Sequence, residues 1–153
     1  MTVRMGIVHF PSNLAKARYM AEAGAADVWQ HEIQRWAAVF NKLPLADRPA
    51  AILRFCQYAI DYVRDPKREV LEDSSVTLLR GFGDCDAKTR VFVALCRACG
   101  IRARIYPVRP AEDFPHVLAE VMIGGQWRRA DPTILNSGIN DIPPAWRAVT
   151  NYW

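Results

Sequence analysis

Hydrophobic residues recur at helical spacing in the N-terminal part of the chain. Residues 12–41 are rich in alanine, and Gly24 lies where one helix could give way to a second. In the second half of this stretch, large apolar side chains return every three or four residues, which places them on one helical face: Trp29, Ile33, Trp36 and Phe40. The spacing predicts that this face packs into the core.

Proline marks both ends of the next predicted helix. Asp47 is suited to cap a helix that begins near Pro49, since proline is tolerated in the first turn. We expect the helix to reach Val63, because Asp65 precedes a proline and such residues are pushed out of the helical region. Residues 65–83 then form a long connection of a kind that is often functional. The apolar face of the helix is predicted to carry Ile52, Phe55, Cys56, Ala59 and Val63.

A third helix follows a glycine-containing loop. The loop contains Gly81 and Gly83, and it runs into the helix at Cys85. Glycines permit backbone conformations that are closed to other residues, and they leave room for a substrate to approach. Helical periodicity continues through residues 91–98, and Gly100 is well placed to end the helix.

Beyond the third helix the hydrophobic period changes from about four residues to two. Apolar and polar residues alternate over 101–108, 116–123 and 126–131, which predicts three strands. Gly124-Gly125 separates the last two and indicates a β-hairpin.

The hairpin allows its own register to be predicted. If the turn has two residues, Glu120 faces Arg129 as an opposite-charge cross-strand pair. The same register places His116 diagonally from Asp131 on one face of the sheet, within reach of a histidine side chain. The sequence therefore predicts contact between these two residues.

These elements predict a mixed α/β (α+β) fold, in which a helical N-terminal half packs on a small antiparallel sheet. The 153 residues, of which 51% are hydrophobic and 24% charged, suit one globular domain. We expect a helical region at 1–46, a core at 47–134 and an irregular tail at 135–153. The tail contains Trp146, Tyr152 and Trp153, which are expected to pack on the core.

Charge and targeting signals narrow the classes of function. The net charge is +4, but the basic residues are scattered, so specific nucleic-acid binding is not favoured. No apolar run approaches the ~20 residues of a membrane span, and the N-terminus lacks the features of a signal peptide. We therefore expect a cytoplasmic protein, or one associated with a virion if it is phage-encoded, and no membrane partner.

The candidate chemistry centres on one cysteine. Cys85 is predicted at a helix N-terminus, where unpaired N–H groups and the helix dipole favour the reactive thiolate. His116 could take the thiol proton, and Asp131 could orient the imidazole. His9 and His31 are competing bases, but neither has an acid at a suitable offset.

The other cysteines are predicted to be structural. Cys96 and Cys99 have the C-x-x-C spacing of redox and zinc motifs, but they lie on the apolar side of the third helix with no second ligand pair. Cys56 falls on an apolar stripe. We expect free thiols, with neither a metal nor another cofactor.

The set of motifs resembles the transglutaminase-like superfamily over about residues 47–134. The resemblance implies a papain-like core with the cysteine at a helix N-terminus and the histidine and aspartate on adjacent strands. Cys85, His116 and Asp131 would then correspond to the family's catalytic triad. The motifs that carry the resemblance are Gly83-Asp84-Cys85-Asp86 with Lys88, Gly100–Arg104, His116-Val117 with Glu120-Val121, Gly125-Gln126-Trp127 and Asp131-Pro132-Thr133.

The resemblance implies thiol-dependent acyl transfer at an amide bond of a protein or peptide. The superfamily includes cross-linking enzymes, cysteine peptidases and amidases, and members without activity, so the reaction stays open. Hydrolysis is favoured slightly for a small protein, since transamidation needs a site that excludes water. The alternative is a non-catalytic structural or binding protein that keeps the fold, such as a phage or assembly component. The oligomeric state is left open.

Overall fold

The computed structural model describes residues 13–64, 72–111, 114–142 and 147–148. In chain order the elements are α1 (Asn13–Asp27), α2 (His31–Phe40), a 3-10 turn (Leu45–Asp47), α3 (Arg48–Ala59), β1 (Asp61–Tyr62), α4 (Ser74–Arg80), β2 (Phe82–Gly83), α5 (Cys85–Ala98), β3 (Ala103–Ala111), β4 (Phe114–Ile123), β5 (Gln126–Ala130) and β6 (Arg147–Ala148).

Helix α5 is the centre of the fold. It packs against β4 and β3 on one side and against α2, α3 and α4 on the other. Four strands form one antiparallel sheet in the order β5-β4-β3-β6, and β1 pairs with β2 in parallel. The main core lies between α5 and the inner face of the sheet, where Val91, Leu95, Ala119 and Val121 are fully buried. The predicted mixed fold, with helices on a small antiparallel sheet, is confirmed.

The N-terminal helices differ from the prediction at their junction. α1 continues through Gly24, where the side chain of Arg90 passes 3.7 Å from the position that a Cβ would occupy. The break lies instead at residues 28–30, so Trp29 belongs to a turn and is 80% exposed. The prediction that Trp29 packs in the core is wrong. The later members of the stripe do face the core: Ile33 and Phe40 are buried and Trp36 is partly buried.

Helix α3 is shorter than predicted. Pro49 lies in its first turn as expected, but Asp47 makes no side-chain capping hydrogen bond. Its backbone is helical (φ −91°, ψ −16°), because it ends the preceding 3-10 turn, whereas a capping residue is usually extended. The helix stops at Ala59, which is exposed, and Val63 lies beyond β1 and is also exposed.

The hairpin has the predicted two-residue turn. Gly124 and Gly125 both have positive φ, at 59° and 77°, which suits the right-handed twist of the flanking strands. Glu120 faces Arg129 in the register, but it forms its ion pair with Arg104 on the other neighbouring strand, at 2.5 Å. The Arg129 guanidinium lies 5.1 Å from the centre of the Tyr106 ring.

Two further predictions concern the tail and the membrane. Of the predicted tail, the described residues 135–142 are irregular, and Arg147–Ala148 form the short strand β6, which pairs with β3. Trp146, Tyr152 and Trp153 lie outside the described residues, as does His9. Within the described part of the chain, no helix has the length and apolarity needed to cross a membrane.

Candidate active site

The loop before Cys85 is held at both ends. Gly81 ends α4 in the left-handed conformation (φ 75°), and its carbonyl accepts a hydrogen bond from the Asp61 N–H at 2.8 Å. Gly83 pairs with Tyr62 in β1, and its carbonyl accepts a hydrogen bond from the Val63 N–H at 2.9 Å. The otherwise exposed strand β1 therefore fixes the loop that leads to Cys85.

Helix α5 begins at Cys85, as predicted. Asp84 is the N-cap, and its Oδ1 accepts a hydrogen bond from the Ala87 N–H at 3.0 Å. A Cβ on Gly83 would lie 2.7 Å from the Cβ of Ala87, closer than real Cβ contacts. The missing side chain at Gly83 thus makes room for the first turn of α5 rather than for a substrate.

His116 and Asp131 are in contact, as the register predicted. His116 Nε2 lies 2.6 Å from Oδ2 of Asp131. The other carboxylate oxygen accepts hydrogen bonds from the Thr133 N–H at 2.8 Å and from the Thr133 hydroxyl at 2.6 Å. Asp131 is fully buried and His116 is 8% exposed. The carboxylate is therefore fixed on both oxygens, and Nδ1 is the ring nitrogen that faces away from it.

Helix α5 contacts β4 at Val117, the neighbour of His116. The backbone of Val117 lies close to the sulfur of Cys85, and its interaction with the thiolate lowers the pKa of the thiol. The Val117 carbonyl accepts a hydrogen bond from the hydroxyl of Thr89 at 3.1 Å. Cys85 and Thr89 are one helical turn apart, so Val117 contacts the start of α5 near both residues. The structure thus brings the sulfur to the strand position next to His116.

The resting thiol is less acidic than the sequence suggested. Burial of the sulfur, followed by the charges of Asp86 and Asp84, raises the pKa of Cys85 to about 12. The prediction that the helix N-terminus favours a thiolate is wrong for the resting protein. Two carboxylates next to the sulfur and loss of hydration outweigh the helix dipole. A base would therefore have to remove the proton before this sulfur could act as a nucleophile.

Asp86 connects the sulfur to helix α1. Its Oδ1 lies 3.8 Å from the Cys85 sulfur, and its Oδ2 forms an ion pair with Lys16. Helix α1 is itself anchored at its far end, where Asp27 binds Arg90 with N···O distances of 2.5 and 2.9 Å. Lys16 was not predicted as part of the site, because its partner Asp86 is distant in the chain and the ion pair leaves no local signal in the sequence.

Gln57 organises the loop that follows Asp131. Its Nε2 lies 3.3 Å from the Asp131 carbonyl and 2.9 Å from each of the carbonyls of Ile134 and Ser137. The backbone carbonyl of Gln57 accepts a hydrogen bond from Nζ of the fully buried Lys88 at 3.2 Å. Gln57 is itself buried, with 2% of its surface exposed. It joins α3, α5 and the Asp131 loop.

The remaining candidates lie apart from this cluster. His31 starts α2 at an exposed position. Cys56, Cys96 and Cys99 are buried free thiols of the core, as predicted. Burial raises the pKa of each of them, so these thiols are unreactive in the folded protein.

Comparison with known proteins identifies the family of the chain. The profile of the transglutaminase-like superfamily matches residues 34–132, more than half of the chain. The chain therefore belongs to the transglutaminase-like superfamily, a family of thiol-dependent enzymes. No curated protein matches the sequence significantly.

Three solved structures share the fold. A candidate cysteine protease from Cytophaga hutchinsonii is 25% identical, with a TM-score of 0.59 over 68% of this chain and 37% of its own. A candidate protease from Parabacteroides distasonis is 12% identical, with a TM-score of 0.66 over 84% and 27%. A TGase is 16% identical, with a TM-score of 0.55 over 76% and 33%. The chain thus spans between 27% and 37% of the length of these proteins.

Proposed function

We propose that the protein transfers acyl groups from an amide bond through a thioester on Cys85. His116 is the general base and Asp131 the residue that orients it and stabilises its charged form. The observation that carries the proposal is the 2.6 Å contact between His116 and Asp131, with Cys85 close to Val117, the residue that follows His116 on β4. These are the three roles that thiol-based acyl transfer requires.

The reaction would start from the protonated thiol. As the Cys85 sulfur attacks the carbonyl carbon, its proton passes to Nδ1 of His116, and the carbonyl oxygen takes the negative charge. The N–H of Cys85, at the first position of α5, is suited to stabilise this oxygen because first-turn donors have no partner in the helix. His116 then donates the proton to the leaving amine, and the thioester forms.

Release completes the cycle. Water or a second amine attacks the thioester carbon and gives its proton to His116, which returns it to the Cys85 sulfur. The products are an acid or a new amide, together with the free thiol. We favour hydrolysis, because an amide former must exclude water from the thioester. The substrate is an amide of a protein or peptide, and no cofactor is needed for any step.

The experiment measures acylation of Cys85 by p-nitrophenyl acetate at neutral pH, followed by intact mass and peptide mapping. We expect an acetyl group on Cys85, and His116→Ala should slow the acylation on the order of 10²–10⁴-fold, as for loss of a general base. His31→Ala, which removes an exposed histidine, is the matched control. Product analysis with peptide amides, with and without an added amine, then separates hydrolysis from transamidation.

A non-catalytic structural or binding role is the second candidate. The raised pKa of Cys85, about 12, favours it because the resting site holds a thiol. In that case Cys85 would be acetylated no faster than an unassisted thiol, and His116→Ala would have no effect. That result would contradict the proposed enzyme.

A further inference from the structure

The position of Cys85 between two carboxylates is unfavourable for a sulfur that must take negative charge. Asp84 caps the helix, and Oδ1 of Asp86 lies 3.8 Å from the sulfur. A negative charge at this distance disfavours a second one. The site therefore needs a cation from another part of the fold.

Lys16 supplies that cation from α1. Its ammonium forms an ion pair with Oδ2 of Asp86, the oxygen opposite the one that faces the sulfur. The two side chains are 13% and 4% exposed, so water screens the pair only weakly. One carboxylate thus lies between the ammonium of Lys16 and the sulfur of Cys85.

The helix that carries Lys16 is outside the part of the chain that matches the family, residues 34–132. Its other end is fixed to the helix of the nucleophile, since Asp27 accepts hydrogen bonds from Arg90 on α5 and from the Ser74 hydroxyl at 2.6 Å. Anchored in this way, α1 brings Lys16 back to the first turn of α5.

We propose that Lys16 is a positioning residue for the nucleophile: its ammonium neutralises and orients Asp86, so that the Cys85 sulfur can take negative charge during attack. This inference rests on the proposed function of Cys85 and adds a residue from outside the family match. Among the described residues, the charged or titratable groups that interact with the Cys85 thiol are Asp84 and Asp86 on α5, Lys16 on α1 and Tyr62 on β1, and His116 lies one residue before Val117 on β4. Lys16 is the lysine of this set, and it acts on the sulfur from a different helix.

The test measures the rate of Cys85 alkylation by iodoacetamide from pH 7 to 11, with the labelled residue located by mass spectrometry. We expect Lys16→Met to move the pH profile to higher pH and to slow alkylation by about three- to tenfold at each pH below the plateau. Lys16→Arg should restore most of the rate. In the Asp86→Asn background, Lys16→Met should have little further effect, because the carboxylate that it neutralises is gone.

Two results would overturn the proposal. One is an unchanged pH profile in Lys16→Met, which would leave Lys16 with a structural role even if the melting temperature falls. The other is faster alkylation in Lys16→Met, which would mean that Lys16 merely covers the sulfur. Lys42→Met, at an exposed position, is the control, and Lys16→Gln is the second variant if Lys16→Met fails to fold.

The outcome is independent of the acylation experiment. If His116→Ala leaves acetylation of Cys85 unchanged, the proposed enzyme fails, although Lys16 and Asp86 could still be coupled to the sulfur. If His116→Ala slows acetylation while Lys16→Met leaves the alkylation profile unchanged, the enzyme stands and the role of Lys16 fails.

Discussion

The hydroxyl of Thr89 donates a hydrogen bond to the carbonyl of Val117 at 3.1 Å, one residue beyond His116. Both residues are buried, and the backbone of the same Val117 lies close to the sulfur of Cys85. Because Cys85 and Thr89 lie on one face of α5, the bond from Thr89 to Val117 helps to fix the position of Cys85 relative to His116.

Thr89→Val keeps the shape of the side chain but removes its donor. The Val117 carbonyl would be left buried without this partner, which costs about 1–3 kcal/mol in the free energy of unfolding. We also expect slower acylation of Cys85, because α5 is no longer held to β4 at this point. Urea denaturation and p-nitrophenyl acetate acylation measure the two effects. Thr89→Ser should restore both; if it restores stability without the rate, Thr89 does not position the nucleophile.

The pH dependence of Cys85 follows from its raised pKa of about 12. Below that pH the folded protein holds a thiol, so the rate of iodoacetamide alkylation should rise by about tenfold per pH unit above neutrality. Asp86→Asn removes a negative neighbour, lowers the pKa and should speed alkylation at pH 9. A rate that is already level at pH 7 would contradict this assignment.

The same shift affects stability at high pH. The unfolded thiol has a pKa of about 8.5, so folding favours the protonated form. This contribution is fully present below the unfolded pKa and is lost as the pH rises towards about 12. Between pH 8.5 and 11 the wild type should therefore lose more stability than Cys85→Ala, which lacks this thiol. Parallel losses in denaturant titrations would show that the pKa is not raised.

Gly83→Ala should disturb the start of α5. The new Cβ would lie 2.7 Å from the Cβ of Ala87, so the loop or the helix must move, at a cost of about 1–3 kcal/mol. We expect slower acylation of Cys85 as well as a lower melting temperature.

Gly100→Ala is the matched control at the other end of the same helix. Gly100→Ala strains a positive φ, 78°, but its Cβ meets nothing within 4 Å. Stability should fall by about 1 kcal/mol while the acylation rate stays unchanged. Equal rate losses in both variants would mean that the effect of Gly83→Ala is general destabilisation.

Gln57→Glu should weaken the loop that holds Asp131. It replaces the Nε2 donor with an oxygen that faces the carbonyls of Asp131, Ile134 and Ser137. Losing these hydrogen bonds in a buried position should lower the free energy of unfolding by about 2–4 kcal/mol. Tyr58→Phe, on the same helix, removes an exposed hydrogen bond to Asn136 and should cost less than about 1 kcal/mol. Similar losses in the two variants, measured by urea denaturation, would contradict this role of Gln57.

The sequence was sufficient where the determining interactions are local. The contact between His116 and Asp131 follows from a two-residue turn and the alternation of strand side chains, both of which lie within one hairpin. The start of α5 at Cys85 was also predicted, because the glycine-containing loop and the helical pattern are adjacent in the chain.

The sequence was insufficient where the determining interactions join residues that are far apart in the chain. Trp29 continues a helical stripe, but the turn between α1 and α2 leaves it exposed. The acidity of Cys85 depends on its burial and on a cation from α1, neither of which the motif around the cysteine encodes. The role of Gln57 leaves no local signal in the sequence, because its partners come from the loop after Asp131.

The short turn at Gly124 and Gly125 also bears on the order in which the protein assembles. A hairpin closes in about 1–10 μs, whereas Cys85 reaches Val117 only after α5 docks on the sheet. We therefore expect His116 and Asp131 to come into contact before Cys85 reaches them. During refolding, hairpin amides should resist hydrogen exchange while Cys85 still reacts with iodoacetamide as an open thiol; simultaneous protection would contradict this order. The sulfur would then be most vulnerable to oxidation in a nascent chain, before its own fold has covered it.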